Sequence, residues 1–109
     1  MSPARTAILL AAGALFASAV GAQSRFPVDD IGKGREQFHR TCSQCHGYNM
    51  VSPGTTAYDL RRFPVDDSVR FFNSVTNGKG GMPSFKDALT PEQMKMLWAY
   101  VGSRGGKEP

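Results

Sequence analysis

The chain has 109 residues, a formal net charge of +4, two cysteines and an aromatic content of 10%. That length suits one domain, and with no basic run and no basic stripe interleaved with aromatics, the modest charge excludes a nucleic-acid binder. No charge run or low-complexity tract marks an interaction tail.

Residues 1–22 read as a secretory signal. Arg5 supplies a short positive start, Ala7 to Val20 are apolar or small without a charge, and Val20-Gly21-Ala22 offers small residues at a cleavage site. The apolar run falls short of the roughly 20 residues that span a bilayer, which makes an uncleaved anchor the weaker reading, and no later segment is a better membrane candidate. The expected mature domain is residues 23–109, with no membrane span after cleavage. A domain of this size buries only about 60% of its unfolded surface, so it calls for a disulfide, a metal or a bound group to hold it together.

In chain order, Asp30 is the expected cap of a first helix in which Ile31, Gly34 and Phe38 share a face, running into Cys42. Cys42-Ser43-Gln44-Cys45-His46 follows, the C-x-x-C-H spacing by which two thiols add to haem vinyl groups and the histidine reaches the iron. Residues 47–63, with Asn49, Pro53 and Gly54, show no period and read as a long loop, unusual in a compact domain unless it has a function such as wrapping a cofactor edge. Asp66 or Asp67 then caps a second helix whose expected face is Val69, Phe72, Val75 and Thr76, stopped at Asn77-Gly78. The glycine-rich stretch Asn77 to Lys86, with Met82-Pro83 inside it, is an irregular loop. Thr90-Pro91-Glu92-Gln93 forms a capping box with proline at the first helical position, and a third helix carries Met94, Leu97, Trp98 and Val101 to near Gly102. No strand alternation and no repeat is present, so the expected fold is all-α with three main helices and long loops.

A haem is not the only reading of two cysteines in an exported chain. A disulfide is one alternative, although cysteines three apart close too small a loop to staple a fold. A thioredoxin-like redox pair is another, but that fold needs a sheet. Structural zinc needs four ligands, and besides His46 the chain has only His39, at no finger spacing. A haem also demands either an open face or a second axial ligand, drawn from Met50, Met82, Met94, Met96 and His39. Met50 and His39 lie too near His46 in sequence to reach the opposite face easily, and Met94 and Met96 sit on an amphipathic helix where methionine is usually core filler. Met82 stands in a glycine-rich loop without helical reason, its backbone fixed by Pro83, and is the expected ligand.

Together, the C-x-x-C-H motif, the Gly81-Met82-Pro83 loop and a last helix with Leu97-Trp98-Ala99-Tyr100-Val101 resemble a class I cytochrome c over nearly the whole mature chain. The resemblance implies one covalent haem c held by Cys42 and Cys45, axial His46 and Met82, and a one-electron carrier, not an enzyme. It implies that Gly34 and Phe38 of the first helix cross Leu97 and Tyr100 of the last. It also implies that His46 donates its second ring nitrogen to a proline carbonyl in the following loop, for which Pro53 is the candidate. Phe63, Phe72, Leu97 and Trp98 are either pocket walls or plain core. Arg61, Arg62, Lys79 and Lys86 either steer a partner, bond propionates or are ordinary solvated charges. The stretches Tyr58 to Pro64 and Arg70 to Lys79, with Met82-Pro83, further resemble small periplasmic cytochromes that accept electrons from quinoprotein alcohol dehydrogenases, whose cofactor is pyrroloquinoline quinone. That likeness implies a periplasmic location, such a dehydrogenase as donor, and a terminal oxidase or another cytochrome as acceptor. Two other readings stay open: a five-coordinate haem protein that binds gases or peroxide, and a permanent haem subunit of a larger oxidoreductase.

Overall fold

The computed structural model describes residues 25–108, so the signal reading of residues 1–22 lies outside the described residues. Four α-helices follow in order: α1 (Val28–Thr41), α2 (Ser43–His46), α3 (Ser68–Asn77) and α4 (Pro91–Gly102), with 3-10 turns at Tyr48–Met50 and Leu60–Arg62. Among the described residues there is no sheet, only an isolated antiparallel bridge between Lys79 and Met82. The fold is all-α, but with four helices where three were expected.

The additional helix is the C-x-x-C-H motif itself. Cys42 ends α1 by donating its N–H to Phe38 O at 2.7 Å, while its own carbonyl accepts from the N–H groups of Cys45 and His46 at 3.2 and 2.9 Å. Helical hydrogen bonding therefore restarts with no loop, and a single turn forms. The start of α1 also differs from expectation. Pro27, not Asp30, is the N-cap; its carbonyl accepts from Asp30 and Ile31, both at 3.1 Å, and no side chain caps the helix. Asp29 and Asp30 instead occupy the first turn, where negative charge complements the helix dipole.

In α3, Asp67 caps by accepting from the Arg70 N–H at 3.1 Å, and Gly78 closes the helix at φ 80°. The buried face is Phe71 and Val75, whereas Val69 is 78% exposed, so the expected Val69 face is corrected. Aromatic packing decides this rotation: the Phe71 ring lies 5.1 Å from Trp98 and edge-on to Phe63 at 5.9 Å. The capping box of α4 forms as its sequence predicts, with Gln93 N–H donating to the Thr90 hydroxyl and Thr90 N–H to the Gln93 side chain. Such a cap contributes about 1 kcal/mol.

The core centres on the crossing of α1 and α4. Gly34 permits it, because a Cβ there would stand 2.0 Å from the Met96 carbonyl oxygen and 2.9 Å from Tyr100 Cβ. One turn further along, the rings of Phe38 and Tyr100 meet at 5.2 Å, and both side chains, with Leu97, are sealed from solvent. Of the four residues expected at this crossing, Gly34, Phe38 and Tyr100 meet there, and Leu97 is buried in the same core.

Burial pushes the Tyr100 phenol above its ordinary value, against the weaker pull of Arg35, whose guanidinium lies 5.5 Å from the ring centroid. The sign follows from linkage. The unfolded chain ionises this phenol first, so the stability tied to neutral Tyr100 is complete below the unfolded value near pH 10 and is lost as pH rises through the higher folded value. Urea midpoints taken between about pH 8 and 11 should fall more steeply for the native chain than for Tyr100→Phe. Parallel curves would remove Tyr100 from the alkaline response.

Candidate functional site

The motif cysteines differ in setting. Cys42 is half-buried and packs on the core, whereas Cys45 is exposed. Burial, aided by repulsion from Cys45, pushes the Cys42 thiol up to about 12. A thioredoxin-like pair needs the opposite shift toward the thiolate, and it needs a sheet, which the described residues lack. Among the described residues no group of three or more His, Cys, Asp or Glu side chains is arranged to hold a metal ion.

His46 ends α2, and its Nδ1 lies 3.0 Å from the carbonyl oxygen of Tyr58. A carbonyl only accepts, so Nδ1 carries the proton, and Nε2 is the nitrogen left for a metal. The expected acceptor, Pro53, is thus corrected to Tyr58. The reason is the turn after the motif. Gly47 adopts φ 86°, and a Cβ there would stand 1.7 Å from the Val51 carbonyl oxygen and 3.1 Å from Pro53 Cδ. Val51 and Pro53 are folded back against Gly47, and the chain reaches the ring only later, at Tyr58.

His39 is committed elsewhere, as sequence distance suggests. Its Nε2 accepts from the Asn49 N–H at 3.2 Å and its ring stacks on Tyr48 at 4.0 Å. This brace supports a turn in which Asn49 and Met50 both have positive φ, 54° and 65°. Thr55 adds a second tie, its hydroxyl donating to the Cys45 carbonyl at 2.7 Å.

The five methionines separate by environment. The Met94 sulfur, in the core, takes the Thr76 hydroxyl at 3.6 Å. Met50 is buried beside Gly105, and Met96 lends its carbonyl to the helix crossing. Met82 is half-buried and packs its side chain on the edge of the core. Its loop is closed on itself, Lys79 and Met82 exchanging backbone bonds at 2.9 Å, and is pinned to α3 by Ser84 Oγ donating to Thr76 O at 2.5 Å and Phe85 N–H to Val75 O at 2.9 Å. Two thiols and an imidazole with one nitrogen left over are donors that suit a covalent haem.

Phe63 and Trp98 are both buried, their rings 5.9 Å apart in a cluster with Phe71, and Phe63 also meets the Tyr58 ring edge-on at 6.3 Å. Of the expected cations, Arg61 chelates Asp59 through Nε and a terminal nitrogen, both at 3.0 Å, and holds that carboxyl below its usual range. Arg62, Lys79 and Lys86 stand exposed. The Tyr58 carbonyl escaped sequence reasoning because a backbone acceptor carries no residue signature. A partial signal lay in the aromatic and arginine residues that surround it.

An all-α domain whose first long helix runs into a C-x-x-C-H turn defines a c-type cytochrome, with Cys42 and Cys45 at the spacing that attaches one covalent haem c. The family described as "Cytochrome C oxidase, cbb3-type, subunit III" matches residues 29–101, and the chain belongs to it. It is 37% identical over 82 residues to cytochrome c6 of Gloeothece citriformis, covering 72% of this chain and 74% of that protein. Cytochrome c6 of a Nostoc species is 37% identical over 76 residues, covering 66% of this chain and 68% of that one. Quinohemoprotein alcohol dehydrogenase ADH-IIG of Pseudomonas putida is 38% identical over 76 residues, 68% of this chain but only 10% of that enzyme. The chain is a small cytochrome c-type electron carrier and not an enzyme. No helix among the described residues is long and apolar enough to cross a membrane.

Proposed function

We propose that this domain is a periplasmic one-electron shuttle with His46 and Met82 as the axial ligands of its haem iron. The observation that supports this reading is the His46 ring: Nδ1 is occupied by Tyr58 O, which fixes the tautomer and leaves Nε2 as the nitrogen available to a metal. Cys42 and Cys45 would hold the haem covalently, and His46 and Met82 would ligate its iron. When bound, the haem supplies a one-electron couple. The chain's residues would set its conditions: Met82 would raise the potential, and the apolar cluster around Phe63 and Trp98 would exclude water. With His46 and Met82 both supplied to the iron by the protein, no place would remain for a substrate. A partner would dock over a small interface, below about 1,200 Å² in total, and leave quickly.

A quinoprotein alcohol dehydrogenase is the proposed donor and a terminal oxidase or another cytochrome the acceptor. Support for the donor is the likeness to one tenth of a Pseudomonas putida enzyme whose name joins quinone, haem and alcohol oxidation. The composition of residues 1–22 supports export to the periplasm.

The test is Met82→Ala in the exported holoprotein. The sulfur-to-iron charge-transfer band should vanish with the haem retained, and the potential should fall by more than about 59 mV, a tenfold change in a one-electron equilibrium. The reduced native protein should take up carbon monoxide slowly or not at all, and reduced Met82→Ala quickly. A band that survives the substitution would sink the Met82 assignment, and fast carbon monoxide binding by the native protein would favour a five-coordinate haem.

A further inference from the structure

The Tyr58 carbonyl that orients His46 is poorly supported from its own N-terminal side. Residues 51–56 are all exposed. Apart from the Thr55 tie, their hydrogen bonds among the described residues are short-range ones: Val51 N–H to Tyr48 O, Gly54 N–H to Ser52 Oγ and Ala57 N–H to Thr55 Oγ1. Support comes from beyond the loop. The guanidinium of Arg70, on α3, lies 5.5 Å from the Tyr58 ring centroid and 4.8 Å from that of Phe63. Phe63 is anchored in the core against Phe71 and Trp98. Arg70 makes no ion pair among the described residues, so its charge rests on the two ring faces. The Tyr58 hydroxyl completes the brace by donating to Arg62 O at 3.3 Å. On the far side of the same turn, Arg104 donates to the Arg61 carbonyl.

We infer that Arg70 is a positioning residue for the haem ligand: by clamping Tyr58 onto Phe63 it sets the His46 Nδ1–H···O=C bond and, through it, the basicity of the nitrogen that faces iron. The inference rests on His46 being an axial ligand. A cation over two aromatic faces is attracted by both ring quadrupoles, and a planar guanidinium does this better than an ammonium. A hydrogen bond from the non-ligating nitrogen makes imidazole a stronger donor and favours the ferric state. Loosening the clamp therefore lengthens that bond, weakens the donor and raises the reduction potential.

The experiment compares native holoprotein with Arg70→Leu, which keeps apolar bulk and removes the charge, reading His46 Nδ1–H solvent exchange by proton NMR together with the potential. Arg70→Leu should speed exchange at least tenfold and raise the potential while the optical spectrum stays six-coordinate, and Arg70→Lys should restore both in part. Arg25→Leu is the structural control, because it removes a different tie to the same segment, the Arg25 bond to Val65 O at 2.6 Å. It should lower the melting temperature and leave exchange and potential in place. If Arg70→Leu yields too little holoprotein, Arg104→Gln takes its place and should move both readouts in the same direction. Native exchange and potential in whichever arginine variant is measured, or equal changes in Arg25→Leu, would overturn the positioning role while leaving His46 as ligand. A native protein with no protected His46 Nδ1–H signal would overturn the ligand reading itself.

Discussion

Gly34→Ala should lower the melting temperature of the holoprotein by roughly 8–16 °C, while Gly32→Ala, two residues earlier on the same helix, should raise it. Both substitutions gain up to about 1 kcal/mol of helix propensity, so propensity alone predicts stabilisation twice. Space separates them. At Gly32 a new Cβ meets nothing within 4 Å, whereas at Gly34 it would stand 2.0 Å from a backbone carbonyl of α4. A carbonyl inside a helix cannot swing aside, so the helices must part, loosening the seal over Phe38, Leu97 and Tyr100. Overpacking of this kind costs about 3 kcal/mol, leaving a net loss of about 2 kcal/mol, and each kcal/mol moves the midpoint of a domain this size by roughly 4–8 °C. Thermal melts of the two variants decide the matter: equal shifts of the same sign would mean that the crossing is not set by Gly34.

Cys42→Ala combined with Cys45→Ala should abolish covalent haem completely, with no haem-staining band after denaturing electrophoresis. The fold should suffer as well, since a domain this small has little stability to spare once its internal staple becomes a dissociable ligand that stabilises only by mass action. The combined variant is expected to melt well below the native holoprotein, and added haem should raise its midpoint in a concentration-dependent way. A band that persists in the stained gel would place the attachment elsewhere. The single variants should differ, because Cys42 packs on the core and Cys45 is exposed: losing Cys42 removes apolar contact as well as a linkage.

How much of this was legible in the sequence depended on whether side chains carried the signal. The capping box of α4 was legible because Thr90 and Gln93 make both of its bonds, and the start of α3 because Asp67 caps through its carboxylate. The start of α1 was misplaced because its cap is the Pro27 carbonyl, which any residue could supply. The one-turn α2 was hidden for a similar reason, since its bonds run between backbone groups of the motif. The face of α3 went wrong at Val69 because helical spacing allows several apolar faces on a helix this short, and only contact with Phe63 and Trp98 selects Phe71. In the site, the motif cysteines and histidine could be read directly. The His46 acceptor could not, because the fold-back at Gly47 moves it from Pro53 to Tyr58.

Past the end of α4 the chain returns to where α1 begins. A Cβ on Gly106 would touch Ile31 Cγ2 at 3.5 Å, and Arg35 donates to the Gly105 carbonyl at 3.0 Å. Entry and exit of the described domain thus lie side by side, the arrangement that lets a folding unit be spliced into or appended to another polypeptide without disturbing either. A module closed in this way is portable, and sequence of its kind does occur as a tenth of a much longer oxidoreductase.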